Sequence, residues 1–233
     1  MTGRPVVLSW SSGKDSALTL YRLQQGGQYT VKRLVTTING ALQRVTMHGL
    51  PLTLLKAQAA ALGLPLEVIT TPENPDMDEY GKLMLHQYHQ LYQEGIGTVA
   101  FGDIFLADLR KYREELLVAA GLQGVFPLWQ TDSRQLMREF IGLGFKAIVI
   151  GVSRQALPAS FCGRPYDLAF LDDLPAHVDP AGENGEFHTF CYDGPLFKEA
   201  IRFTKGKTIL KTYPSPTGQE EDYGFWFCDL QPA

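Results

Sequence analysis

Cysteine is scarce in this sequence, positive charge is not in excess, and no apolar run approaches the length of a membrane span. The three cysteines, Cys162, Cys191 and Cys228, are odd in number and widely spaced. That fits neither a disulfide framework nor a zinc knuckle, so they read as reduced thiols. A formal net charge of −4 supplies no global attraction to a phosphate backbone, and nucleic acid is not an expected partner. The opening Met-Thr-Gly-Arg-Pro leads directly into Val6, Val7 and Leu8, too short an apolar run for a signal peptide or a span. The expected location is the cytoplasm, with no membrane partner. Internal repeats and low-complexity tracts are also lacking. With 45% hydrophobic and 20% charged residues, a folded globular protein is the class that remains. Its 233 residues suffice for one large α/β domain, or for one domain of ordinary size and a smaller one.

Through the first half, short apolar runs alternate with amphipathic stretches, which predicts β-α units building a parallel sheet. Strands are expected at Val6 to Trp10, Val31 to Ile38, Leu66 to Thr70, Thr98 to Phe101 and Gly124 to Leu128, segments rich in β-branched and aromatic residues. Helices are expected at Ser16 to Gln25, Leu52 to Leu62, Asp78 to Glu94 and Ala107 to Ala120. Gly26, Gly63, Gly95 and Gly121 stand as stops. The regularity weakens after Trp129. A helix at Ser133 to Leu143, a strand at Ala147 to Val152, an apolar run at Phe187 to Tyr192 and a hairpin of Ile209 to Tyr213 with Tyr223 to Cys228 are expected there. The division predicted is an α/β unit over residues 1–128 and a smaller α+β unit over 129–233.

The strongest local signal is Ser9-Trp10-Ser11-Ser12-Gly13-Lys14-Asp15-Ser16, directly after the first strand and opening the first helix. Small residues let several backbone N–H groups turn toward one anion, and the helix N-terminus adds partial positive charge. Phosphate is the natural ligand. Lys14 would supply a mobile cation, Ser11, Ser12 and Ser16 hydroxyls, and Asp15 a Mg2+ ligand or a clamp on the loop. Turn and capping chemistry alone uses similar residues. The spacing is neither that of a Walker A loop nor Gly-x-Gly-x-x-Gly, so a different phosphate loop is needed.

Other clusters fall near the same edge. Gly102-Asp103 follows the fourth strand, where open α/β sheets place ligands. Asp103 could hold Mg2+ or orient an attacking amine there, and a cap on the Ala107 helix is the competing account. Arg110 and Arg113 are candidates for anion contacts on that helix, although i,i+4 surface pairs use the same spacing. Glu183, Asn184, Glu186 and His188 sit among Gly182 and Gly185, a concentration suited to acid–base work or amine binding rather than to a closed zinc site. His48, just past the second strand, is a candidate for substrate or nucleotide contact. His86 and His89, three apart on a helix, lack a third metal ligand.

The loop resembles the PP-loop of the ATP pyrophosphatases, Ser-Gly-Gly-x-Asp-Ser, with Ser12 in place of the first glycine. A serine there costs energy if the position needs φ > 0. Further segments are similar to the diphthine-ammonia ligase family and its shorter bacterial relatives. These are Met47-His48 with the helix through Gln58 to Gly63, Phe101-Gly102-Asp103-Ile104, Pro127-Leu128-Trp129, Gly182 to Thr189, and Asp193 to Phe197. The resemblance implies a five-stranded parallel, doubly wound, HUP-like ATP-binding domain of strand order 3-2-1-4-5, with a smaller C-terminal α+β domain closing over it. It implies ATP and Mg2+, an ATP set of Ser9, Ser11, Ser12, Gly13, Lys14, Asp15, Ser16, Thr36 and Gly102, and catalysis by Lys14, Asp103, Glu186 and His188. Substrate contacts would come from His48, Arg110, Arg113, Glu183 and Asn184. The implied reaction is adenylation of a carboxylate and its amidation by ammonium. In the best-known members the carboxylate is diphthine, on a translation elongation factor. A homodimer is compatible with the resemblance. A tRNA-thiolating pyrophosphatase and a non-catalytic adenine-nucleotide sensor remain open alternatives.

Overall fold

The computed structural model describes residues 3–72, 75–213 and 223–233. Its first half alternates β1 (Arg4–Ser9), α1 (Lys14–Gly26), β2 (Tyr29–Asn39), β3 (Arg44–Val45), α2 (Leu52–Leu62), β4 (Leu66–Thr71), α3 (Met77–Gln93), β5 (Thr98–Ala100), α4 (Ala107–Ala119) and β6 (Gln123–Val125). Five of these strands are parallel in the order β4-β2-β1-β5-β6, which is the expected 3-2-1-4-5. The central strand shows why both faces need helices. Val6 and Leu8 enter the apolar cluster on the α1 and α2 side, while Val7 joins the cluster with α3 residues Met84, Tyr88 and Leu91 on the other. All three strand residues are fully buried, as a strand covered on both faces requires.

Helix boundaries follow local chemistry. Asp76 and Glu79 form a reciprocal capping box at the start of α3, and Gly63 ends α2 at φ 68. β6 ends at Val125 rather than at the expected Leu128, and two further departures bear on the loop. α1 begins at Lys14 rather than Ser16, so the last residues of the serine-rich loop already belong to its first turn. The short strand β3, not anticipated, runs antiparallel to the end of β2. β1 pairs with β2 only as far as Val35, whereas β3 meets Ile38 and Asn39, opposite β4. β3 therefore continues the β1 side of the sheet beyond the point where β1 stops, and its following turn hangs over the loop that leaves β1.

The second half contains α5 (Ser133–Gly142), β7 (Lys146–Ser153), a 3-10 turn (Ala159–Phe161), α6 (Leu168–Asp173), β8 (Phe187–Asp193), β9 (Phe203–Tyr213) and β10 (Tyr223–Pro232). The 3-10 turn and α6 lie in the stretch expected to be loop. Asp167 caps α6 through Phe170 N, and its buried Phe170 and Leu171 explain why so short a helix persists. β8-β7-β10-β9 form an antiparallel sheet. β9 and β10 pair along their whole lengths, longer than the expected hairpin, and their connection lies outside the described residues. The two sheets share one core, in which Leu18 and Leu54 of the first half join Val149, Phe187 and Phe190 of the second. Each fully buried residue of this kind contributes roughly 1.5–3 kcal/mol, so the second sheet is held firmly against α1 and α2.

Candidate functional site

The serine-rich loop lies between the carboxyl end of β1 and the N-terminus of α1, and its shape is set by residues far away in sequence. Ser12 adopts φ 72, so the position does demand the left-handed region that glycine would occupy without strain. The strain is held by surroundings: Ser12 O accepts from Cys191 N at 2.9 Å and from Gln58 Nε2 at 2.9 Å. Gln58, fully buried, also donates to Cys191 O at 2.6 Å and accepts from Trp10 Nε1 at 2.7 Å. β8 is the edge strand of its sheet, and this loop with Gln58 satisfies that edge.

Three loop amides meet hydroxyls. Ser11 N donates to Ser16 Oγ at 3.0 Å, Gly13 N to Ser11 Oγ at 3.3 Å, and Lys14 N to Thr189 Oγ1 at 3.1 Å. The Ser11 and Ser16 hydroxyls are 2.8 Å apart. Ser12 Oγ is buried with no partner among the described residues. Gly13 is hemmed in, since a Cβ there would meet His48 Cε1, Ser11 Oγ and Thr189 O, each at 3.3 Å. Gly102 is similar: its Cβ would press on the backbone of Asp15 and Ser16 at 3.2–3.3 Å, so the loop after β5 abuts the first turn of α1.

On the α4 side of the loop, acids gather. Lys14 is not the free cation expected. It is 2% exposed, its Nζ contacts Asp15 Oδ2 at 2.8 Å, and it lies over the rings of Phe187 at 5.3 Å and Tyr166 at 5.7 Å. Asp15 Oδ1 has no partner among the described residues. Burial raises the Asp15 carboxyl, against the pull of Lys14. Asp103 and Arg113, assigned separately to catalysis and substrate, instead pair with each other at 2.8 Å, and the guanidinium lies over Phe101 at 4.6 Å. Burial raises the Asp103 carboxyl despite that partner. Asp103 does not cap α4, whose N-cap is Leu106 without a side-chain cap. Glu183 reaches across from the second half and accepts from Ile104 N at 2.7 Å and, more weakly, Phe105 N at 3.4 Å. Burial pushes its carboxyl up to about 7, with Asp15 and Asp103 adding repulsion.

On the opposite side lie two imidazoles. The rings of His48 and His188 are 4.6 Å apart. Burial, together with the nearby Lys14 charge, lowers His188 to about 4 and takes His48 well below its usual range, with His188 a further contributor. Both are neutral at physiological pH. They stand at one end of a cleft of about 790 Å³ between the β2–β3 turn and the face of the antiparallel sheet. The β3 turn and the β7–β8 pairing bring them together from 140 residues apart.

The remaining expected residues fall elsewhere or take structural parts. Glu186, expected to be catalytic, is committed to its own loop: it accepts from Asp179 N at 3.1 Å, Asn184 N at 3.0 Å and Asn184 Nδ2 at 3.0 Å. Asn184 is therefore bound to Glu186 rather than free to meet substrate. Thr36 donates to Trp10 O at 2.7 Å and braces the loop, and Ser9 faces the α3 side beside Met84 and Tyr88. Arg110 is held between Phe126 and Trp129, each ring 4.5 Å away, and bonds Glu114 at 2.9 Å. His86 and His89 are exposed on α3. Gln58, Thr189, Tyr166 and Asp179 were not expected as site residues. Gln58 and Thr189 were visible only as letters within matching segments, since a polar residue on an apolar helix face is the one local sign of a buried network. All three cysteines are buried; burial raises Cys162 to about 12 and also raises Cys191 and Cys228. Among the described residues, no three His, Cys, Asp or Glu side chains form a metal-binding group, and no helix is long and apolar enough to cross a membrane.

Comparison with known proteins agrees with the segments that carry this geometry. Residues 3–124 match the model of the diphthamide synthase N-terminal domain, and residues 132–213 that of the diphthamide synthase C-terminal domain. The diphthine–ammonia ligase of Mus musculus is 34% identical over 126 residues, 51% of this chain and 46% of that protein. That of Danio rerio is 29% identical over 170 residues, 70% of this chain and 64% of its own length. The Homo sapiens enzyme is 28% identical over 152 residues, 62% of this chain and 55% of its own. The chain thus spans less than two thirds of the length of these relatives. Two adjacent family models that together cover most of the chain, on a parallel sheet with the expected loop at its carboxyl edge, show that it belongs to the diphthamide synthase family.

Proposed function

We propose that this chain is an ATP-dependent carboxylate–ammonia ligase. A carboxylate oxygen of the acceptor attacks the α-phosphate of ATP, the bond to the β-phosphate breaks, and pyrophosphate leaves. Ammonia then attacks the acyl-adenylate, loses a proton, and expels AMP to leave an amide. The observation that carries this reading is the strained, buried Ser12 turn, clamped by Gln58 and Cys191 so that the loop amides converge at a helix N-terminus. The hydroxyls of Ser11, Ser16 and Thr189 now satisfy amides that phosphate oxygens would take over. The first half, residues 1–128, would hold the nucleotide, and 129–233 the acceptor.

Lys14 is the residue that meets charge building on the leaving pyrophosphate, a contribution greatest in the transition state. Asp15 fits a Mg2+ ligand, because one oxygen is engaged by Lys14 and the other has no partner among the described residues. Mg2+ is commonly held by one or two carboxylates together with substrate phosphates, and it would supply charge neutralisation there. Asp103, oriented by Arg113, and Glu183, poised near neutrality, are suited to holding ammonium and receiving its proton. Glu186 and Asn184 position Glu183 by closing its loop. His48 and His188 would line the path of the acceptor. The relatives are diphthine–ammonia ligases, which makes diphthine on an elongation factor one candidate acceptor among carboxylates here. The buried, high-pKa cysteines speak against a thiolate-dependent reaction.

Incubation with MgATP, ammonium and candidate carboxylates, with nucleotides separated by chromatography, tests the proposal. AMP and pyrophosphate in equal amounts are expected. ADP as the main nucleotide product would overturn it.

A further inference from the structure

The cleft beside His48 and His188 has a composition that the loop chemistry does not explain. One row of side chains crosses its entire sheet wall, because Ile209 pairs with Phe227, Phe227 with Gly151, and Gly151 with His188. Gly151 leaves a gap in that row, where a Cβ would meet Phe227 Cε1 at 3.3 Å and His188 Cδ2 at 3.5 Å. Phe225 stacks near His188 at 6.2 Å, so the wall is flat and aromatic beside the imidazoles. On the same face of β9, Lys207 and Lys211 alternate with Ile209 and line the far end. Arg44 and Asp229, also on the cleft, neutralise one another at 2.8 Å. Neither Lys207 nor Lys211 has a carboxylate within ion-pairing distance among the described residues, and Lys211 Nζ leans inward over Phe227 at 5.6 Å.

Resting on the ligase reading above, we infer that this cleft selects its acceptor as a flat or apolar-bodied acid carrying a second negative group. The carboxylate to be activated lies against His48 and His188, beside Gly13 of the loop, and the second anion meets Lys207 and Lys211. The neutral His188 ring offers its one N–H to the carboxylate, while that of His48 is directed to the Thr189 carbonyl, and neither ring brings a counter-charge that would blunt the attack. Geometry sets the length. β8 and β9 are three strand steps of about 4.8 Å apart, and the Lys211 amine leans back over β10, which leaves about 10 Å between the imidazole end and the cation. A benzene ring with carboxylates at opposite positions, each hydrogen-bonded at its end, is of that order. A quaternary ammonium at the outer end would instead meet two like charges, with the Phe227 face already taken by Lys211.

The test is isothermal titration of the full chain, at neutral pH and without nucleotide, with terephthalate, benzoate and 4-(trimethylammonio)benzoate. Terephthalate is expected to bind about tenfold more tightly than benzoate, the effect of two partly exposed ion pairs, and the cationic probe more weakly than both. In the Lys207→Gln/Lys211→Gln protein, terephthalate should fall to the level of benzoate while benzoate is unchanged. Both positions are on an exposed edge strand, so thermal unfolding should be unaffected. Equal affinities for the three probes, no binding of any, or a preference that survives the double substitution would each overturn the inference. The titration contains no ATP, so it reads the cleft alone. Failure to form AMP would strike the ligase reading and leave the titration result standing.

Discussion

The two flanks of the Ser11–Ser16 loop are built from opposite chemistry by the same strand. Toward α4, β8 supplies Phe187 beneath Lys14 and Thr189 against the Lys14 amide, next to a crowd of carboxylates made of Asp15, Asp103 and Glu183. Toward the cleft, the intervening residue His188 lies against His48, and the charge is withdrawn. The period of two along a strand is what allows one segment to serve an ionised flank and a neutral one. Burial raises acids and lowers imidazoles, so both flanks are driven toward their uncharged forms, but only the acidic flank contains opposite charges that resist this. The acidic flank can therefore handle a cation or a proton, while the neutral flank suits an anionic nucleophile that must not be paired off.

The largest expected effect breaks the acidic flank. Lys14→Met keeps the apolar stem over Phe187 and Tyr166 but removes the ammonium, and AMP formation should fall about 10²- to 10³-fold, the usual loss for one transition-state donor. Steady-state rates at saturating ATP check this. A rate within a few-fold of the parent would remove Lys14 from the reaction and leave it as a partner for Asp15.

Next comes the joint that couples the flanks. Gln58→Leu fills similar space but strands Trp10 Nε1 and Cys191 O, and it removes one of the two bonds that hold the strained Ser12 carbonyl. Urea denaturation should show a loss of about 2–3 kcal/mol, the cost of stranded buried polar groups. No change in stability would mean that the loop holds its shape without the bridge from the second sheet.

The smallest effect separates the flanks by pH. Glu183 is raised to about 7 from an ordinary 4.5, so the fold favours its protonated form. Its contribution is complete below the ordinary value and is lost as pH rises through about 7. His188 is lowered to about 4 from 6.5, so the fold favours the neutral ring. That contribution is complete above 6.5 and is lost as pH falls through about 4. Denaturation midpoints of Glu183→Gln should lack the decline between pH 4.5 and 7, and those of His188→Asn should lack part of the gain between pH 4 and 6.5. Parallel pH profiles in the two variants would show that the flanks do not differ in the way the geometry implies.

Much of the fold was legible because its signals are local. Val6 to Leu8, Thr98 to Ala100 and the helix from Leu52 to Leu62 are written in residue type and period, and glycines punctuate them. β3 and α6 were not legible, because a two-residue strand and a six-residue helix carry too little pattern to stand above loop composition. Of the site, the letters of the loop were readable, but not their partners. The sequence showed Lys14 as a loop cation and Asp103, Arg113 and Glu186 as separate functional groups. Only folding showed that Lys14 is buried against aromatics, that Asp103 and Arg113 pair with each other, and that Glu186 closes its own turn.

The sequence by itself determined that a parallel β-α sheet would carry a tight turn of small residues at the end of its first strand, opening a helix. Small residues after a strand and before a helix permit that turn and leave its amides to be satisfied. Tertiary structure decided which groups face that turn. Cys191, Thr189 and Gln58 reach it from 179, 175 and 46 residues away along the chain, and His48 meets His188 across 140. Contacts at such separations depend on how one sheet packs against another, and that packing is a property of the whole core rather than of any segment.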